Sequence, residues 1–508
     1  MHTKNLLILS LYLLIITGCI TKKSISTAYK EQYRPQFHFS PPAKWMNDPN
    51  GMLFYKGTYH LFYQHYPESN VWGPMHWGHA TSTDLVHWKN KPIALFPDSL
   101  GYIFSGSAVA DMNNTTGFAK KGEVPLIAIF THHSVELQKE GRNDFENQSL
   151  AYSLDDGETW NKYSGNPVLK NPGIKDYRDP KVMWYEAQKK WIMTLATSDH
   201  ITFYSSTDLK NWTKESEFGR DLGAHGGVWE CPDLFPIDFE DEQKWVLLVS
   251  VGTGAPNGGS AVQYFIGDFN GKTFTPTDKK TKWIDYGTDN YAGVTWSNTG
   301  KRNIFMGWMS NLQYAMVVPT VIWRSAMTTP RELSIKTVGQ EFFLTSKPVR
   351  ELNKVIRKSE LSKNVKVLDT LDLTSSFEKS NAQIQLKFNS NQLKDYRIIL
   401  SNNLNEQLII GYDQKENQYY IDRRNAGDYS FSKKFGTKQI APRLSNSDST
   451  DINLLIDLAS VEFFSDGGLN VMTSIFFPTK PFSRLQIQSA NGIVLQSLTC
   501  SSIKRIWN

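Results

Sequence analysis

Only three cysteines, Cys19, Cys231 and Cys500, occur in the 508 residues of this chain. So few exclude a disulfide framework, and no C-x-x-C or His/Cys ligand spacing is present, so neither a metal nor a cofactor is expected. Charge is sparse as well. Charged residues make up 21% of the chain, the net charge is +5 and no block of Lys and Arg stands out, which leaves no case for nucleic acid. Helical periodicity is almost missing between Tyr33 and Glu332. The apolar run from Leu6 to Ile16 is too short to cross a bilayer. What the chain has in quantity is aromatic side chains: 15 Trp, 22 Tyr and 28 Phe, a composition that suits sugar-facing platforms and equally the cores of large β-sheets. The length calls for two domains plus an export segment.

Lys4 followed by the run Leu6 to Ile16 reads as the start of a signal peptide. It ends in Ile16-Thr17-Gly18-Cys19, which resembles the lipobox of bacterial lipoproteins, in which the cysteine is diacylated and becomes the first residue of the mature chain. Residues 1–19 are therefore expected to be removed up to a lipidated Cys19, which holds the folded body to a membrane through lipid alone. Ile20-Thr21-Lys22-Lys23 lacks the acidic cluster that resembles a surface-export signal. The expectation is an exported, membrane-anchored lipoprotein, periplasmic or cell-surface, of a Gram-negative bacterium.

Residues 33–337 alternate short β-type runs with turns. Ser82-Thr83-Asp84-Leu85-Val86-His87-Trp88 is echoed by Ser206-Thr207-Asp208-Leu209-Lys210-Asn211-Trp212, and between them lies Ser153-Leu154-Asp155-Asp156-Gly157-Glu158-Thr159-Trp160. Each unit has a Ser, an Asp two residues on and a closing Trp, and the middle one resembles the Asp-box hairpin of β-propellers. Repetition at this spacing indicates radial blades of four strands, and about 300 residues at roughly 60 per blade gives about five blades. Residues 338–364 are polar and mixed and read as a linker. Residues 365–508 show the period-2 alternation of half-buried antiparallel strands, as in Ala382 to Phe388, which indicates a β-sandwich. The expected fold is all-β: a five-bladed β-propeller followed by a C-terminal β-sandwich.

Three carboxylates sit in constrained settings. Asp48 lies in Trp45-Met46-Asn47-Asp48-Pro49-Asn50-Gly51, where Pro49 holds it extended and Asn50-Gly51 reads as a hairpin turn, placing Asp48 near a strand end. Asp179 lies in Tyr177-Arg178-Asp179-Pro180, where the Arg donates and the Asp accepts, a pairing suited to vicinal hydroxyls and equally to a structural salt bridge. Glu230 stands between Trp229 and Cys231. A weakly polar surround there would raise its pKa and keep it protonated near neutral pH, as a general acid requires. One ionised and one protonated carboxyl are the parts of a glycoside hydrolase, and separate blades would have to deliver them to one axis.

On these residues the chain closely resembles glycoside hydrolase family 32, the invertase, inulinase and levanase group. The resemblance runs from about Arg34 to the C-terminus. It is carried by Trp45 to Gly51, Val71-Trp72-Gly73-Pro74, His76-Trp77-Gly78-His79-Ala80, Phe104-Ser105-Gly106-Ser107, Arg178-Asp179-Pro180, Glu230-Cys231-Pro232-Asp233 and Arg331-Glu332-Leu333, with Ser460 to Phe464 and Phe477-Pro478 in the sandwich. It implies that Asp48 is the nucleophile, Glu230 the acid/base and Asp179, partnered by Arg178, the transition-state stabiliser. It further implies that Asn47, Gln64, Trp72, Phe104, Ser105 and Trp308 bind fructose. The chain departs from the family pattern at Asn290, where an aromatic is frequent, and at Leu312, where Trp is frequent; both are expected at the funnel rim. Cys231 is expected to be a small buried neighbour of Glu230. The implied activity is a retaining β-fructosidase releasing fructose from fructans and fructo-oligosaccharides, with sucrose a further substrate. An endo-acting levanase or inulinase, and a non-catalytic fructan-binding lipoprotein, remain as alternatives. Linkage preference and oligomeric state have no signature in the sequence.

Overall fold

The computed structural model describes residues 29–376, 381–389, 393–447 and 449–507. The export segment and Cys19 lie outside the described residues.

Five antiparallel sheets of four main strands are followed by two six-stranded sheets. The first sheet is built from Lys44–Tyr55, Thr58–Tyr66, His76–Ser82 and Lys89–Leu95, and the next four repeat this up-and-down order. The first strand of every sheet lies innermost: Lys44–Tyr55, Tyr102–Ala110, Tyr177–Tyr185, Trp229–Phe239 and Tyr291–Thr295 pack side by side in a closed ring. The ring closes where Leu53 bridges Ser297 in parallel register. This is a five-bladed propeller, and closure removes the open inner edges an isolated sheet would expose.

The repeated Ser-x-Asp hairpin forms the turn from third to fourth strand in the first three blades. Asp84 Oδ1 accepts from the amides of Val86 and His87, and Asp208 Oδ1 from those of Lys210 and Asn211, at 2.8–3.1 Å. Asp155 does the same for Thr159 at 2.9 Å. Short side chains that bond their own turn are the physical reason the signal recurs.

The two six-stranded sheets stack into a β-sandwich around a core that includes Ile384, Leu386, Ile410, Leu454, Phe463 and Leu495. The boundary differs from the sequence expectation. Within 338–364, read as linker, Glu341–Pro348 is the outermost strand of the fifth blade and Ile356–Val367 is an edge strand of the sandwich. Both lie at sheet edges: Ile356–Val367 has much of its surface in water, and Glu341–Pro348 buries the polar Thr345 and Ser346 beside Leu344, so neither shows the apolar alternation that marks a half-buried strand.

Asn50-Gly51 is no hairpin turn: the strand runs on from Lys44 to Tyr55, Asp48 sits within it, and the chain turns at Lys56-Gly57. Gly51 has φ +50°, and a Cβ there would come 2.6 Å from Phe62 and 2.7 Å from Trp77. The glycine serves a bulge and a close approach of rings rather than a turn.

Propeller and sandwich meet through buried charge. Arg331 donates from Nη1 to Asp285 at 2.9 Å and from Nε to Glu462 at 3.0 Å. His38 lies 2.8 Å from both Glu462 and Asp457. Nearby, Arg423 of the sandwich donates to Asp289 at 2.6 Å, two residues before Tyr291. Folding brings Asp457 and Glu462 of the sandwich together around His38.

Candidate active site

Each inner strand breaks register at the same level. The pairing shifts between Met46 and Pro49 and again between Asn50 and Leu53, then between Ile103 and Gly106, opposite Asp179, between Glu230 and Asp233, and between Tyr291 and Val294. Asp179, Cys231 and Ala292 have left-handed φ values of 64°, 45° and 52°. An extra residue in a bulge re-aims its neighbours, and bulges in all five inner strands turn side chains from all five blades toward one end of the axis. Non-glycine residues held at positive φ cost about 1–3 kcal/mol each and persist only where the surroundings enforce them.

The result is a cavity of about 490 Å³. Asp48, Asp179 and Glu230 line it, and so do Asn47, Gln64, Trp72, Phe104, Ser105, Arg178 and Trp308. Every residue singled out for the pocket therefore reaches this one wall. Asp48 accepts from Ser105 Oγ at 2.7 Å and from Asn47 Nδ2 at 3.0 Å, and Asn47 is itself fixed by Trp45 Nε1 at 2.7 Å. Asp179 Oδ2 accepts the amide of Cys231 at 3.0 Å. The Cys231 thiol lies 3.6 Å from Asp48 Oδ2 and 3.7 Å from Asp179 Oδ2, so one sulfur joins two carboxyls. Arg178 Nη2 donates to Glu230 Oε1 at 3.0 Å, and the Tyr291 hydroxyl donates to Glu230 Oε2. Gln64 Nε2 donates to the Ile103 carbonyl at 3.0 Å. Phe104 stacks on His133 at 4.2 Å, with Trp72 edge-on to it at 6.0 Å. Trp72 is 43% exposed and stands at the mouth, whereas Trp308 is buried at the wall.

Burial pushes the Asp48 carboxyl above its usual range; the Ser105 hydroxyl opposes this and the neighbouring Glu230 charge adds to it. Asp179 is pushed up to about 8, first by burial and then by the Glu230 and Asp48 charges, against the pull of Arg178. Burial and the three nearby carboxylates hold the Cys231 thiol well above its usual value, so it stays a thiol and donates. Arg178, ringed by Glu146, Glu230, Asp179 and Asp176, remains a cation despite burial.

Two expectations change. Glu230 does not rest in a weakly polar niche: its two oxygens meet a guanidinium and a phenol. Cys231 is the small buried neighbour expected, and its thiol also reaches Asp48 and Asp179. Asn290 is buried, donating to Asp285 at 3.1 Å, and is absent from the rim; Leu312 does line the cavity, 50% exposed. The site also contains residues the sequence did not flag. Tyr291 touches Glu230, and Glu146 and Asp176 ion-pair with Arg178 at 3.2 and 2.7 Å. Tyr291 is one of 22 tyrosines and Glu146 has no constraining neighbour, so nothing local marked either.

Clustered carboxyls, a fixed cation and aromatic walls at one end of a propeller define a glycoside hydrolase. The chain belongs to glycosyl hydrolases family 32: residues 38–348 match the family's N-terminal domain and residues 350–504 its C-terminal domain. It is 44% identical over 521 residues to the levanase of Bacillus subtilis, covering all of this chain and 76% of that one. The extracellular exo-inulinase of Aspergillus awamori is 37% identical over 91% of this chain and 93% of its own. A crystal structure of exo-inulinase from the same organism superposes with a TM-score of 0.86 at 35% identity, over 94% of this chain and all of that one. The β-fructofuranosidase of Schwanniomyces occidentalis, solved with fructosyl-erythritol, superposes with a TM-score of 0.85 at 31% identity, over 95% and 99%.

Proposed function

We propose that this protein is a retaining β-fructofuranosidase that removes terminal fructose from fructans and fructo-oligosaccharides, with sucrose a further substrate. Asp48 attacks C2 of the terminal fructosyl unit while Glu230 gives its proton to the departing glycosidic oxygen, leaving fructose bound to Asp48 as an ester. Glu230 then takes a proton from water as the water oxygen attacks C2, which breaks the ester, frees fructose and restores both carboxyls. Asp179 grips ring hydroxyls and Arg178 holds Glu230 in line. Asn47, Gln64, Phe104, Ser105 and Trp308 shape the fructose pocket, and Trp72 and Leu312 flank the leaving group.

The observation that carries this reading is the joint placement of Asp48, Asp179 and Glu230 around one cavity, with the Cys231 thiol between the first two. The exo preference is supported by the exo-inulinase likeness and by the narrowing beneath the acids to a void of about 10 Å³, too small for a sugar ring to pass. Catalysis belongs to the propeller, and the sandwich buttresses it through Arg331 and Arg423. Export fits the extracellular relatives, and lipidation at Cys19 is proposed to tether the mature protein at the periplasmic or outer face of its membrane.

Product-resolved digestion of sucrose, inulin and levan tests the reading. Fructose as the first and sole product of the fructans is expected. A ladder of oligosaccharides would overturn the exo assignment, and no release from any of them would overturn the enzyme.

A further inference from the structure

The propeller's axial channel has a second mouth. Beneath the acids it narrows to the void of about 10 Å³, lined by Ser105, Asp179, Lys181 and Cys231 among others, and then opens on the opposite face into a cavity of about 650 Å³, larger than the catalytic one. The far ends of four inner strands line this second cavity.

Its chemistry is specific. Asp233 sits behind this wall with no accessible surface; its Oδ2 accepts from the Thr295 amide at 2.6 Å and lies 3.3 Å from Lys181 Nζ. Asn113, Gln243 and Asn298 line the mouth with exposed amide side chains. Trp184 is partly buried on the same wall, its ring fixed by donation from Nε1 to Glu186 at 2.6 Å and by edge packing on Trp191 at 5.0 Å. Met112, 60% exposed, stands at the opening. The charges come in neutralised pairs, Lys181 with Asp233 and Lys301 with Asp238 at 3.0 Å, so the mouth selects no ion. A partly exposed, fixed indole, exposed amide side chains and a balanced set of charges suit a neutral polyhydroxylated ligand.

We propose that this far mouth is a second, non-catalytic carbohydrate site that holds a fructan segment while another chain end is cut at the first. The proposal rests on the fructan reading above. Its consequence is a preference for polymer that short substrates do not feel. The test compares Trp184→Ala with the parent on levan, on inulin and on a trisaccharide of one fructosyl unit added to sucrose, alongside retardation in native gels containing each polymer. Loss of one stacked ring is expected to lower kcat/KM on at least one polymer by about three- to tenfold and to weaken retardation by that polymer by the same factor. The trisaccharide rate is expected to stay unchanged, which also shows that the variant folds. Should Trp184→Ala not fold, Met112→Arg, which obstructs the opening from an exposed position, is expected to give the same pattern. Unchanged polymer rates and retardation would overturn the second site, as would an equal loss on the trisaccharide. A parent that cuts none of the three would instead overturn the fructan reading itself.

Discussion

Asp48 is the side chain on which the chemistry depends, and its surroundings pull its charge in two directions. Burial and the nearby Glu230 charge favour its protonated form, while Ser105 and Asn47 favour the carboxylate. A nucleophile must be ionised, so activity falls as pH drops through its raised pKa. Removing the Ser105 hydroxyl takes away a bond made to the charged form and raises that pKa further. Ser105→Ala is therefore expected to move the acid limb of the kcat/KM profile to higher pH and to leave the alkaline limb in place. An acid limb that stays put or moves down would show that Ser105 does not set the charge of the nucleophile. Glu230 was harder to judge from sequence, because Trp229 and Cys231 say nothing of what lies across the cavity. Arg178 and Tyr291 arrive from other blades, and their contact with Glu230 is written only in the fold.

Bulges in the inner strands convert an ordinary antiparallel blade into a frame for a site. Gly51 shows how tightly this is built. Its φ of +50° and the approach of two buried rings leave no room for a methyl group. Gly51→Ala is expected to lower the free energy of unfolding by about 2–4 kcal/mol, from the left-handed backbone and from overpacking, read as a fall in the denaturant midpoint. An unchanged midpoint would mean that the strand accommodates the methyl group. At this scale the sequence was informative wherever the signal is local. The Ser-x-Asp hairpins, the alternation within 365–508 and the motifs around Asp48, Asp179 and Glu230 all depend on neighbours in the chain. Register shifts were not legible, because a bulge is defined by the partner strand; hence Asn50-Gly51 looked like a turn. The edge strand Ile356–Val367 looked like linker because water, rather than a second sheet, meets much of its surface, and Glu341–Pro348 did because two of its three buried residues, Thr345 and Ser346, are polar.

Across the whole molecule, the propeller and sandwich are held by a buried network centred on His38. Burial alone would depress its pKa, yet Asp457 and Glu462 push it up to about 9, and Glu462 is held down at about 2 by Arg331 and His38 despite burial. A histidine whose folded pKa exceeds its unfolded value of 6.5 contributes stability fully present below 6.5 and lost as pH rises through about 9. The melting temperature is expected to fall across that window, with up to about 3 kcal/mol at stake. His38→Gln is expected to be less stable at pH 6 and to lose most of this slope; a variant with the parent's slope would place the titration elsewhere. The same network explains why the family resemblance extends to Arg331 and to Ser460 through Phe464: these residues join the two halves rather than touch the cavity.

The proposed chemistry divides the work: Asp48 bonds fructose while Glu230 manages the proton. The most direct measurement is peptide-resolved mass spectrometry of Glu230→Ala incubated with a fructosyl donor whose leaving group departs without a proton. Such a donor still forms the ester, and without the base its hydrolysis is slowed by at least about 10²-fold. One fructosyl unit is expected on the peptide that contains Asp48, and none on Glu230→Ala carrying Asp48→Asn as well. A label on any other residue, or turnover of the donor by the double variant at the rate of Glu230→Ala alone, would contradict it.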